Sequence, residues 1–331
     1  MRSPRPLLRL DITQFAVAAI VAGLLIAACD GGSGGAADRS GAAPIASPEP
    51  DAIRVVATTT VLADLVRQVG GSRVAVASLV PPGGEVHTFD PTPGDLASVA
   101  DASLIVMNGL GLDDWLGQVA ANSGTSAPVV ALAEDLDGVE YLAGDEHEVE
   151  PDDGHEDEAV NPHLWLNVRY AIAYAERIGA ELARVDPAHA ADYETGTDAY
   201  VARLTDLDAW VREQVATIPE ANRRIVSFHE AFPYFAAAYG LEIVGTVVDA
   251  PGQDPSAGEI ADLVEAVRST GAKAIFSEAQ FSPELTATVA REAGIAVESN
   301  LYNDSLGDPP ADTYEGIIRW DVERVVAALG E

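Results

Sequence analysis

The chain is poor in cysteine, in basic residues and in aromatics. Its one cysteine, Cys29, excludes an internal disulfide framework. Only 19 basic residues face 53 acidic ones, for a formal charge of −34. Such a surface repels phosphate backbones and anionic headgroups, so nucleic acid is excluded as a partner. It suits cationic ligands, and acidity of this kind also serves solubility. Aromatics make up 6% of a chain that is 48% hydrophobic, so small aliphatics and alanine must fill the cores. The apolar run from Phe15 to Ala28 covers about 14 residues, short of the roughly 20 that a bilayer-spanning helix needs.

That run has a different reading. Arg2, Arg5 and Arg9 precede it and small residues close it, which is the layout of an export signal over residues 1–28. The ending Ile26-Ala27-Ala28-Cys29 resembles a bacterial lipobox, which implies cleavage before Cys29 and lipidation of its thiol. The Gly/Ser/Ala/Pro-rich segment that follows then forms, with Cys29, a lipidated flexible tether over 29–52. The folded part is expected outside the cytoplasm, anchored to a membrane surface.

From residue 53 strand and helix patterns alternate. IRVVATT (53–59), RVAVASLV (73–80), SLIVMNG (103–109) and APVVAL (127–132) read as strands with helices between them, Thr92 being a candidate N-cap. Residues 134–160 break the pattern. DEHEVEPDDGHEDE (145–158) holds nine acidic residues, two histidines and one valine, and predicts a solvated, mobile loop. From 163 to 217 the spacing is helical, with a stop near Pro187 and a long helix over 188–218. Alternation resumes with strands at 223–228, 241–248, 272–278 and 295–300. The expectation is an α/β protein of two lobes, 53–187 and 219–331, each a mainly parallel sheet flanked by helices, joined by one long helix.

The chain has six histidines. His147 and His155 lie in the acidic loop, and His189 sits near a helix start among polar neighbours. His87 and His229 each follow a predicted strand, where the loops of parallel sheets form a ligand crevice. His163 opens the helical region, and Asp304 follows the last strand. Taken singly, a histidine is more often a satisfied core residue. Together these three imidazoles and one carboxylate make an N/O set that suits zinc.

Five segments, in order, carry a resemblance. GGEVHTFDPTPGDLASVADASLIVMNG, NPHLWLN, IVSFHEAFPYFAAAYGL, FSEAQF and NDSLG resemble the signatures of the periplasmic zinc/manganese-binding proteins of ABC importers. The resemblance spans most of 53–330. It implies metal ligands at His87, His163, His229 and Asp304, with Glu278 a supporting or substitute ligand. Asn161 and Asn167 stand where the resembled signature has aspartates, which is expected to remove acceptors around His163. The acidic loop resembles the family's His/Asp/Glu-rich insertion. His147 and His155 are then either an auxiliary cation trap or part of a solvated linker.

The resemblance implies a monomeric receptor that carries Zn²⁺, or else Mn²⁺, to a permease driven by a cytoplasmic ATPase, with no catalysis. The rival from another class is a zinc hydrolase. His229-Glu230 begins the H-E-x-x-H pattern, but residue 233 is proline, so that pair is absent. A receptor for an organic chelate would want cationic contacts in the strand-end loops, where Arg and Lys do not cluster. An adhesin-like surface role is compatible with metal binding.

Overall fold

The computed structural model describes residues 47–144, 160–248, 251–252 and 255–330. The signal segment, Cys29, most of the tether, and His147 and His155 in the acidic loop lie outside these residues. So does the last residue.

The first sheet holds β1 (Ile53–Ala57), β2 (Val74–Ser78), β3 (Leu104–Met107) and β4 (Val129–Ala131), in the order β2-β1-β3-β4. The second holds β5 (Arg224–Ser227), β6 (Glu242–Thr246), β7 (Ala274–Glu278) and β8 (Ala296–Leu301), in the order β6-β5-β7-β8. All pairings between these strands are parallel. The two sheets therefore share one winding, although no sequence repeat announces it.

Residues alternate between the two faces of each strand, and here both faces are covered. Val55, Ala57, Leu104 and Val106 turn inward, as do Ile225, Ala274 and Phe276, and all seven belong to one core shared by both sheets. Val56 and Ile105 turn outward onto α2 (Pro93–Ala100) and α3 (Trp115–Ser123). Val226 and Ile275 turn outward onto α7 (Ala257–Thr270) and α8 (Glu284–Ala293). Double coverage explains why the strands read as near-continuous apolar runs.

The shared core is filled by α1 (Thr60–Gly70), α4 (Val168–Val185), α5 (Ala190–Ala216), α6 (Pro233–Tyr239) and α9 (Tyr314–Leu329). Helix α5 spans 27 residues. It is shorter at both ends than the 188–218 expectation, since Pro187–His189 forms a separate 3₁₀ turn before it and Thr217 caps its other end. One face buries Tyr193, Tyr200, Leu204, Leu207, Val211 and Val215. A Cβ on Gly196 would lie 2.1 Å from the Val69 carbonyl, so only glycine lets α5 cross α1 this closely. Farther along, Arg319 of α9 stacks on Trp210, and Arg212 donates to the Ala238 carbonyl at 2.7 Å. The helix is thus packed against both sheet halves along its length.

Candidate metal centre

Three of the four converging residues lie in loops that follow strands. His87 lies in the loop after β2. That loop is tied to the other half where Gly83 N–H donates to Ser305 Oγ at 2.7 Å. It is fixed from beneath by Trp115 Nε1–H, which donates to the Val86 carbonyl. His229 lies two residues beyond β5, its carbonyl held by Ser227 Oγ at 2.9 Å. Asp304 follows β8, flanked by Leu306, whose N–H donates to Thr60 Oγ1 on α1 at 2.8 Å.

His163 does not open a helix directly. It precedes a 3₁₀ turn, Leu164–Leu166, and α4 begins at Val168 with Asn167 as its side-chain cap. The turn arises because Leu164, Trp165 and Leu166 are all drawn into the core. Trp165 then packs beside the His163 ring, centroids 5.2 Å apart, and its Nε1–H reaches the Asn303 carbonyl at 2.9 Å.

The structure brings all four together. One ligand atom from each of His87, His163, His229 and Asp304 lies within 4.8 Å of the others. His163 Nε2 is 3.5 Å from Asp304 Oδ1, His87 Nε2 is 3.6 Å from Oδ2, and His229 Nε2 is 3.9 Å from Oδ2. The His163 and His229 Nε2 atoms are 3.3 Å apart. A tetrahedral zinc with bonds of ~2.0–2.1 Å holds its donors about 3.3–3.4 Å apart, so these spacings match such an ion with little adjustment. His87 Nε2 and both Asp304 oxygens are buried with no hydrogen-bond partner, although buried polar atoms are normally satisfied.

The electrostatics agree. Burial alone would raise the Asp304 carboxyl, but the surrounding imidazoles of His87, His163 and His229 outweigh it and hold it at about 2. Burial pushes the His163 imidazole well below its ordinary range. Burial also opposes charge on His229, but the adjoining Glu278 carboxylate wins and lifts it to about 9. Two Nε2 lone pairs facing each other at 3.3 Å require a shared proton or a cation between them.

Hydrogen bonds at the back of two rings fix which nitrogen faces the centre. Glu278 is not among the converging atoms. Its Oε2 accepts from His229 Nδ1 at 2.6 Å and its Oε1 from the His229 N–H at 3.2 Å. Asn161 corrects an expectation. Its Oδ1 accepts from the His163 N–H at 3.0 Å and from Nδ1 at 3.1 Å, so asparagine keeps the acceptor that the missing aspartate was expected to take away. Asn167 spends its side chain on capping α4. His189 pairs with Asp186 at 2.7 Å, apart from the centre.

Sequence reasoning passed over Glu85. Its Oε1 accepts from the His87 N–H at 2.9 Å, while its Oε2 is buried without a partner. Burial first, then the nearby Asp304 charge, raises this carboxyl to about 7. Its one sequence signal was a glutamate two residues before a candidate ligand.

The family profile described as zinc-uptake complex component A, periplasmic, matches residues 55–328. The manganese-binding lipoprotein MntA of Halalkalibacterium halodurans is 30% identical over 287 residues, covering 86% of this chain and 91% of that protein. The iron ABC transporter substrate-binding lipoprotein MtsA of Streptococcus pyogenes serotype M1 is 28% identical, covering 85% and 90%. Among solved structures, the periplasmic zinc binding protein TroA from Treponema pallidum superposes with a TM-score of 0.76 at 26% identity, covering 85% of this chain and 100% of that one.

Proposed function

The chain belongs to the zinc-uptake complex component A family, and from that premise we propose that it is a receptor capturing Zn²⁺ between two lobes for an ABC importer. It is a binding protein and not an enzyme, so the hydrolase reading falls. The observation that carries the zinc reading is the convergence of three Nε2 atoms on one buried, unpartnered carboxylate. His87, His163, His229 and Asp304 are the proposed ligands, with Glu278 orienting His229. Three nitrogens and one hard oxygen favour zinc over manganese. Manganese stays the second reading, because a relative at 30% identity is named for it and Glu85 places a further carboxylate beside the centre.

In this reading the lobes are residues 53–187 and 219–331, joined by the helical segment 188–218. The protein works outside the cytoplasm as a monomer, held by a lipid at Cys29. It hands the ion to a permease powered by a cytoplasmic ATPase.

The test is metal content and zinc affinity of the purified full chain beside its His163→Ala variant. One zinc per chain is expected, weakened by about a hundredfold or more when one of four ligands is lost. Tight manganese with poor zinc retention keeps the site and changes the cargo. No stoichiometric metal in either protein overturns the reading.

A further inference from the structure

Asn161 has every polar group in use. Its N–H donates to the Leu142 carbonyl at 2.9 Å, and its own carbonyl accepts from Tyr234 OH at 3.0 Å. The His163 N–H is an unambiguous donor, so the atom 3.0 Å from it must be the amide oxygen. That orientation leaves Nδ2 to donate to the Glu230 carbonyl at 2.7 Å. The residue is 2% exposed, so no water competes for these bonds.

The two ends of this amide therefore hold two different ligand segments. Oδ1 grips His163 from the first half of the chain. Nδ2 grips the turn that carries His229 in the second half, where Ala231 N–H already closes onto the His229 carbonyl at 2.9 Å. Tyr234 on α6 reinforces the same crossing, accepting from Leu142 N–H at 3.1 Å. The Nδ2 bond uses neither imidazole Nε2 nor the Asp304 carboxylate, so it does not compete with an ion for ligand atoms. His87 is the most exposed of the four, its side chain 20% accessible against at most 3% for the others.

We infer that Asn161 is a positioning residue that latches the His163 and His229 segments together and sets how fast the ion enters and leaves. The inference rests on the receptor reading above. In this inference the ion reaches and leaves His163 and His229 as these segments part, and parting them breaks the Nδ2–Glu230 bond in either direction. Aspartate at this position keeps the acceptor for His163 but sets an oxygen against the Glu230 carbonyl, turning the latch into a repulsion. Alanine removes both grips.

The test compares the full chain with Asn161→Asp and Asn161→Ala by stopped-flow mixing with zinc and with a zinc-responsive chelator. In the aspartate variant the on- and off-rates should both rise about tenfold. The alanine variant, which also frees the His163 ring, should lose about tenfold or more in affinity. A residue that only shapes the site would raise the off-rate alone and lose affinity in proportion. That result, or unchanged rates in the aspartate variant, overturns the latch. Hydrogen exchange on the unaltered chain gives an independent reading. The amides of Asn161 and His163 and those at 229–231 should open together, and clearly separate opening rates overturn it even if neither variant folds. Failure of the unaltered chain to bind zinc is a different outcome, and it falls on the receptor reading.

Discussion

His229 is buried yet holds its proton tightly, because Glu278 sits 2.6 Å from Nδ1. With its imidazole lifted to about 9, it is charged at neutral pH, and a metal must displace that proton from Nε2. Apparent zinc affinity should therefore fall about tenfold for each pH unit below the His229 value, and level off above it. The Glu278→Gln variant keeps an acceptor but removes the charge, and burial then lowers His229. Its profile should be nearly flat from about pH 7 to about 9. Chelator-competition titrations across that range decide it: a flat profile in the unaltered chain, or an unchanged slope in the variant, refutes the assignment. The four converging residues were legible from sequence because imidazoles at strand ends have a stated chemistry and because five motifs carried a family resemblance. The Asn161 amide was not legible in this way. Its partner lies 69 residues away, and only the fold decides which end of the amide faces which strand of chain.

Among the elements, α1 shows how a helix can belong to both halves. Its Asp64 Oδ2 accepts from the N–H of Tyr314, the first residue of α9, satisfying one of the donors that a helix start leaves open. Burial raises this carboxyl from 3.8 to about 6. A carboxyl raised on folding binds its proton more tightly in the native state, so its contribution favours folding below the unfolded value and is lost as pH rises through the folded one. The window runs from about pH 4 to about pH 6, and the shift corresponds to on the order of 3 kcal/mol. Asp64→Asn removes the titration. Relative to the unaltered chain, the variant should gain about that much stability between pH 4 and pH 7, read from urea midpoints at each pH. An identical pH dependence in both proteins refutes it. The inner strands were legible because Val55–Ala57, Leu104–Val106, Ile225–Val226 and Ala274–Phe276 are apolar on both faces, and the Thr92 cap because threonine and Asp95 form a reciprocal pair. The short turn at Leu164–Leu166 was not, since apolar residues in a row look alike whether they start a helix or sink into a core. Nor was the close crossing at Gly196, which needs the neighbour's carbonyl to be known.

At the scale of the whole molecule, two sheets with the same winding invite the reading of a wide hinge, but the packing between them argues otherwise. One core takes side chains from both sheets and from five helices. The halves are also cross-bonded around the centre. Tyr314 OH reaches the Trp165 carbonyl at 2.6 Å, Trp165 Nε1 reaches Asn303, Leu306 N–H reaches Thr60, and Gly83 N–H reaches Ser305. A hinge that opened this seam would expose buried aromatics and strand buried donors, whereas hinge-closing proteins rely on thin, polar joints. Helix α5 adds a continuous strut, since its early part lies against α1 and its later part against α9 and α6. Solution scattering with and without zinc should therefore show the radius of gyration changing by less than about 0.5 Å. Changes in hydrogen exchange should instead concentrate in the His87 loop, the 228–231 turn and residues 302–306. A zinc-dependent decrease of more than about 1 Å would mean that the lobes close as rigid bodies, and the shared core would then have to be two surfaces that separate. The small change is expected because the four proposed ligands come from segments braced across a fixed seam, so that binding calls, on the latch inference, only for local parting of the segments that Asn161 holds.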